Sequence, residues 1–165
     1  MPKIQLIKLG HKTVRQKFGQ PMGIMYLASW LRKFLPEIEI QLIDMLPEGL
    51  NPERLLRKVS EFQPDLLGLS AMSFEARELH QLAEQAKKSF PKMPIVAGGP
   101  YITTGTQQAF SDPNLDFVVR GEGEQTLLLL VNHLFHRTGE LNQILGLGFK
   151  QNGQAMLNPD RPYLK

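Results

Sequence analysis

The chain has 165 residues, 42% of them hydrophobic and 21% charged, a length that suits one domain and a composition that excludes a disordered chain. It has no cysteine, which excludes disulfides and Cys-ligated zinc or iron–sulfur centres within it and fits a reducing compartment. No run approaches the roughly 20 apolar residues of a membrane span, and Met1-Pro2-Lys3-Ile4-Gln5-Leu6-Ile7 lacks the apolar core and small-residue cleavage site of a secretion signal, so the expectation is a cytoplasmic domain. The formal net charge of +3 is unevenly spread: residues 1–35 carry Lys3, Lys8, Lys12, Arg15, Lys17, Arg32 and Lys33 with no acid among them. A basic N-terminal third attracts an anionic ligand or partner, or is simply a solvated loop and helix end. No arginine-rich run with interleaved aromatics points to nucleic acid.

Taken in chain order, hydrophobic period and breakers alternate strand with helix. Lys3 to Leu9 reads as a strand, and a polar loop runs from Gly10 to Gln20. Pro21 suits a helix's first turn, and Ile24, Leu27, Ala28, Leu31 and Leu35 follow helical spacing up to Pro36. Glu37 to Ile43 is a second strand. Asn51 and Pro52 give a helix N-cap and first position; Leu55, Leu56, Val59 and Phe62 form its stripe. Leu66-Leu67-Gly68-Leu69-Ser70 is continuously apolar until Ser70, as in strands covered on both faces. A third helix spans Phe74 to Phe90, a fourth strand Met93 to Ala97, a short helix Thr104 to Phe110, a fifth strand Leu115 to Val119, and a last helix Glu122 to Arg137. Ile144 to Phe149 and Gln154 to Leu157 pair as a hairpin about Asn152-Gly153.

This alternation predicts an α/β fold: a doubly wound parallel sheet of about five strands flanked by helices, with a C-terminal β-hairpin. Right-handed crossovers place every strand-to-helix loop on one sheet edge, where such folds bind ligands. Gly98-Gly99-Pro100 leaves no Cβ in a ligand's way and heads a helix start that suits polar or anionic groups; the plain alternative is a tight turn. Ser70 either bonds a ligand or caps the next helix. The acids of Gly121-Glu122-Gly123-Glu124 suit a helix N-terminus, but capping alone does not explain the glycines beside Glu122.

Signals for catalysis are poor. His11, His80, His133 and His136 have no metal-ligand spacing with an acid. There is no Gly-x-Ser-x-Gly elbow, no Walker loop, and no Gly-x-Gly-x-x-Gly after the first strand; Gly10-His11-Lys12-Thr13 is a faint phosphate loop at best. The expectation is a binding domain with no catalytic residue and no protein metal ligand.

Four ordered stretches resemble a known family: Pro21-Met22-Gly23-Ile24-Met25-Tyr26-Leu27-Ala28-Ser29, Pro64-Asp65-Leu66-Leu67-Gly68-Leu69-Ser70, Pro94-Ile95-Val96-Ala97-Gly98-Gly99-Pro100-Tyr101-Ile102-Thr103, and Asp116-Phe117-Val118-Val119-Arg120-Gly121-Glu122-Gly123-Glu124. Together they are similar to the N-terminal cobalamin-binding domain of cobalamin-dependent radical S-adenosylmethionine enzymes. The resemblance implies a Rossmann-like fold with cobalamin on the strand edge, its nucleotide tail beside Ser70 and Gly98-Gly99, its corrin over the loops after the first, third and fourth strands. It implies cofactor contacts from Gly10, Pro21, Gly23, Ser70, Met72, Gly98, Gly99, Pro100, Tyr101, Thr103, Gly121, Glu122 and Gly123; many members have His where Tyr101 stands.

Other cobalamin domains carry Asp-x-His-x-x-Gly, whose His ligates cobalt. Here Leu9-Gly10-His11-Lys12-Thr13-Val14 lacks the Asp and the Gly, and a ligating imidazole needs an oriented partner. The family commonly lacks the motif, so the expectation is that His11 is not an axial ligand. The resemblance also implies a longer parent, a methyltransferase or cyclase whose radical S-adenosylmethionine barrel carries a Cys-x-x-x-Cys-x-x-Cys motif for a [4Fe-4S] cluster and S-adenosylmethionine. Residues 1–140 would be the cofactor domain and 141–165 a closing hairpin leading into a linker. The rival expectation is a Rossmann-like interaction or regulatory domain that no longer binds cobalamin. On the first reading, Gly99→Val blocks the tail's path with the fold largely intact.

Overall fold

The computed structural model describes residues 1–10 and 19–162, so most of the Gly10–Gln20 loop, His11 included, lies outside the described residues. One sheet runs through the molecule in the order β2-β1-β3-β4-β5-β6-β7. β1 (Lys3–Lys8), β2 (Glu39–Asp44), β3 (Leu66–Ser70), β4 (Ile95–Gly98) and β5 (Phe117–Val119) are parallel. β6 (Leu147–Gln151) and β7 (Gln154–Leu157) extend the β5 edge antiparallel. The expected doubly wound sheet is therefore present, and the hairpin continues it: Leu147 lies opposite Val119 and Phe149 opposite Phe117. Asn152 and Gly153 turn the hairpin with φ of 52° and 78°, the pair of positive angles a type I′ turn requires.

Helices cover both faces. α1 (Met22–Phe34) and α6 (Glu124–Val131) pack on one with Ile4, Leu6, Leu66 and Val96; α2 (Pro52–Phe62), α3 (Ala76–Ser89), α4 (Pro100–Thr104) and α5 (Thr106–Phe110) pack on the other with Ile7, Leu67, Leu69 and Ala97. Successive residues of a strand point to opposite faces, which is why these continuously apolar strands feed two separate cores. α2 begins as its sequence demands: Asn51 Oδ1 accepts from the Arg54 N–H at 2.8 Å, and Pro52 takes the first helical position.

Several boundaries move for local reasons. Pro21 is the N-cap residue of α1 rather than part of its first turn. Phe74 lies in a 3-10 turn, Ser73–Glu75, ahead of α3. The expected helix Thr104 to Phe110 is α5, and α4, separated from it by Gly105, is a helical turn where none was expected. α6 ends at Val131 and passes into a wide turn, Asn132–His136, closed by Arg137 at φ 55°.

The chain order reverses between β1 and β3: one crossover leads from β1 to β2, the next returns to β3 on the other side. This is the switch point at which open α/β sheets bind ligands.

Candidate functional site

The strand register leaves a slot at the carboxyl edge. On the face toward α1 and α6, β3 presents Leu66, Gly68 and Ser70, and β4 presents Val96 and Gly98; Gly68 pairs with Val96, and Ser70 with Gly98. Two adjacent central strands thus end in glycine and serine where the opposite face carries Leu67, Leu69 and Ala97. Leu6 packs over Gly68, where a Cβ would lie 2.5 Å from its Cδ2, and beside Gly98 a cavity of about 190 Å³ opens between β1, β3, β4, β5, α1 and the start of α6.

Ser70, Gly98, Gly99, Gly121, Glu122 and Gly123 line it, together with Gly23 from α1. Leu6, Ile24, Leu27, Val119 and Leu127 are among its apolar walls, and Gly68 and Glu124 line it as well. Gly68 and Glu124 were not among the expected contacts. Gly68 was detectable only by counting back two residues from Ser70 along the strand, and Glu124 only by its place at the head of α6. Among the described residues, no Lys, Arg or His lines it.

Backbone geometry explains the loops. Gly99 has φ 94°, and a Cβ there would sit 2.8 Å from the Ala71 carbonyl oxygen and 3.0 Å from Ser70 Oγ, so the turn itself requires glycine. Gly98 differs: its nearest neighbour to a Cβ would be the Val119 carbonyl oxygen at 3.6 Å, an ordinary contact. Thr103 Oγ1 donates to the Gly99 carbonyl at 3.2 Å and accepts from the Gly121 N–H at 3.0 Å. One hydroxyl therefore ties the loop after β4 to the loop after β5, which sets the slot's width.

Gly10, Pro21, Met72, Pro100, Tyr101 and Thr103 stand outside the cavity wall. Gly10 has a packing reason: a Cβ would fall 2.2 Å from Leu46 Cγ. The Met72 N–H donates to Glu75 Oε2 at 2.7 Å. Glu75 is fully buried and accepts two bonds from Lys8 Nζ, at 2.9 and 2.8 Å. Lys8 pairs with Ser70 in the sheet register, so this ion pair clamps the loop after β3 to the end of β1. Beside it, burial pushes the Asp44 carboxyl above its ordinary value, while the Leu46 N–H and Lys8 pull the other way.

Tyr101 projects to the opposite face of the sheet. Its hydroxyl lies 2.9 Å from His80 Nε2, and His80 Nδ1 lies 2.6 Å from Asp112 Oδ2. A carboxylate only accepts, so Nδ1 donates to Asp112, and Nε2 shares a hydrogen bond with the Tyr101 hydroxyl. This chain ties α3 to α4 and to the loop after α5. Burial works to raise the Asp112 carboxyl, but the Asn114 N–H, His80 and the Asn114 side chain outweigh it and hold it below the ordinary value of 3.8. A depressed folded-state pKa adds stability above the unfolded-state pKa and loses it as the pH falls through the folded one. Acid titration of the unfolding free energy below pH 3.8 is expected to show a steeper loss for wild type than for Asp112→Asn.

The other described histidines are also remote from the slot: His133 bonds the Gly139 carbonyl and His136 pairs with Glu37. Among the described residues no cluster of His, Asp and Glu is arranged to hold a metal ion, and no helix is long and apolar enough to cross a membrane.

Known proteins share both sequence and architecture with the chain. An uncharacterized methyltransferase of Pyrococcus horikoshii is 35% identical over 155 residues, covering 93% of this chain and 33% of that protein. The anaerobic magnesium-protoporphyrin IX monomethyl ester cyclase of Rubrivivax gelatinosus is 30% identical over 146 residues, 86% of this chain and 26% of that one. The chain thus spans a third or less of the length of these relatives. Among solved structures, the cobalamin-dependent S-adenosylmethionine radical enzyme OxsB superposes with a TM-score of 0.82 at 22% identity, over 99% of this chain and 23% of OxsB. The radical S-adenosylmethionine methyltransferase TsrM of Kitasatospora setae gives 0.79 at 18% identity, over 96% and 30%. At these identities the structural likeness speaks for the fold. The model of the B12 binding domain matches residues 12–131, well over half the chain, and the chain belongs to that family.

Proposed function

We propose that this chain is the cobalamin-carrying domain of a radical S-adenosylmethionine enzyme of the methyltransferase or cyclase kind. The supporting observation is the glycine-bearing stripe of β3 and β4 under α1 and α6. A cavity of about 150 Å³ accepts a benzene-sized ring, so about 190 Å³ has room for a flat one- or two-ring group and none for a corrin. The aromatic base of the nucleotide tail fits such a slot. The corrin then rests outside, over the loops after β1, β3 and β4. The lining suits this group better than a phosphate-bearing nucleotide, because its described residues offer no basic side chain to an anion.

Cobalamin, when bound, supplies the cobalt chemistry; the chain's own work is to bind, orient and shield. Ser70, Gly98 and Gly99 flank the base, Gly121 to Gly123 close the slot from the β5 side, and Thr103 holds the two loops together. On this reading cobalt is held without a protein imidazole; His11, the candidate ligand, lies outside the described residues. The OxsB structure holds aqua-cobalamin and S-adenosylmethionine, and a TsrM structure holds cobalamin and a [4Fe-4S] cluster. By analogy, residues 1–140 carry cobalamin here. The hairpin and following residues 141–165 lead toward a barrel that holds the cluster and S-adenosylmethionine.

Incubation with hydroxocobalamin followed by desalting tests the reading. Retained corrin absorbance near one equivalent is the expected result. A colourless, folded protein would favour an interaction domain that has lost the cofactor.

A further inference from the structure

The backbone leaves β7 at the ligand edge. β6 is antiparallel to β5 and β7 to β6, with Gly148 opposite both Val118 and Leu157, so β7 runs with the parallel strands and ends level with β5. Residues 158–161 then form neither helix nor strand, yet they are tied down closely. The Asn158 N–H donates to the Leu147 carbonyl at 3.0 Å, and its Nδ2 to the carbonyls of Leu141 and Ile144 at 2.6 and 2.8 Å. The Pro159 carbonyl accepts from the Gly146 N–H at 2.8 Å.

Two further ties bracket the loop that closes the slot. Ahead of Gly121, Arg120 donates from Nη2 to the Asn158 carbonyl and pairs through Nη1 with Asp160 Oδ1 at 3.0 Å. Behind Gly123, in the first turn of α6, the fully buried Thr126 hydroxyl accepts from Arg161 Nε at 2.9 Å and donates to the Leu145 carbonyl at 2.8 Å. The glycines between these brackets have no side chains to anchor them, and a Cβ on Gly121 would meet nothing within 4 Å. A guanidinium fork fixes two acceptors in one geometry, so Arg120 sets where the strap of residues 158–161 lies against this loop. Resting on the cobalamin reading, we propose that Arg120 is a positioning residue: through the strap it holds the Gly121–Gly123 loop against the slot, which couples cofactor binding to order in residues 158–161. Such coupling is reciprocal: bound cobalamin steadies the strap, and the strap steadies bound cobalamin.

The test measures amide hydrogen exchange in the segment 155–162 with and without saturating hydroxocobalamin, beside titrations read by visible absorbance. Wild type is compared with Arg120→Met, Arg120→Lys and Arg161→Met. In wild type the cofactor is expected to slow exchange in this segment about 5- to 100-fold, the usual range of coupling between two sites. Arg120→Met fills the space without the fork; it is expected to lose that protection and to bind cobalamin about fivefold more weakly or worse. Arg120→Lys keeps the charge but not the fork and is expected to fall between. Arg161→Met, which loosens the strap at a residue outside the slot wall, is expected to weaken binding in the same direction. A merely structural Arg120 would lower the melting temperature and leave the cofactor-dependent protection in place. Exchange in wild type that cobalamin does not change, or protection that persists in Arg120→Met, would overturn the role of Arg120 while leaving the cobalamin reading standing. Should Arg120→Met not fold, the wild-type comparison and Arg161→Met decide the matter. Wild type that binds no cobalamin would overturn both.

Discussion

Lys8→Met is expected to lower the free energy of unfolding by about 3–5 kcal/mol, the cost of stranding a buried charge. Glu75 is fully buried, and Lys8 Nζ lies 2.9 and 2.8 Å from its two carboxylate oxygens. The Met72 N–H supplies one more bond, too little to hold an isolated carboxylate away from water. Removing both charges is a different matter: Lys8→Met with Glu75→Leu strands no charge, only the neutral Met72 N–H and Leu9 carbonyl, and a buried pair replaced by apolar groups is often close to neutral. Urea unfolding of the two single variants and the double variant measures this coupling. A loss below about 1 kcal/mol in Lys8→Met would mean that the pair behaves as a surface contact and does not clamp the loop after β3 to β1.

Gly99→Val is expected to cost about 2–6 kcal/mol, combining a residue forced into positive φ with overpacking against backbone. The residue's φ is 94°, and its added Cβ would meet the Ala71 carbonyl oxygen at 2.8 Å. A carbonyl fixed in the loop after β3 cannot swing aside as a side chain would. This corrects the expectation that Gly99→Val blocks a ligand with the fold largely intact: the glycine serves the turn before it serves any ligand. Thermal unfolding of the ligand-free protein checks it, and a melting temperature equal to that of wild type would show that the loop relaxes freely. Gly98→Val is the cleaner probe of the cavity. Its Cβ meets nothing closer than 3.6 Å, a β-branched residue suits a strand, and Gly98 borders the slot.

How much of this was readable beforehand depends on sequence distance. Strand and helix order followed from period and breakers, because these are local. Gly98, Gly99 and Gly121 to Gly123 stood out because they follow strands directly. Gly68 did not: inside Leu66-Leu67-Gly68-Leu69-Ser70 it reads as a small residue in a buried strand, and its role appears only once Gly68 is set against Val96 in the sheet. Tyr101 was expected at the cofactor edge from its neighbours Gly99 and Pro100. Its side chain instead meets His80, 21 positions earlier in the chain, with Asp112 a further 32 positions from that histidine. The Lys8–Glu75 clamp, separated by 67 positions, was equally invisible. Glu124 read as a dipole partner, which it is.

On the cobalamin reading, the glycine and serine at the ends of β3 and β4 admit the flat end of a cobalamin tail. Titration of hydroxocobalamin into wild type and Gly98→Val, with ligand-free thermal unfolding as the control for folding, tests it most directly. Wild type is expected to saturate near one equivalent, and Gly98→Val, equally stable, to bind about tenfold more weakly or worse. Equal affinity in the two proteins would contradict the account, because a valine in the slot would then stand in nothing's way.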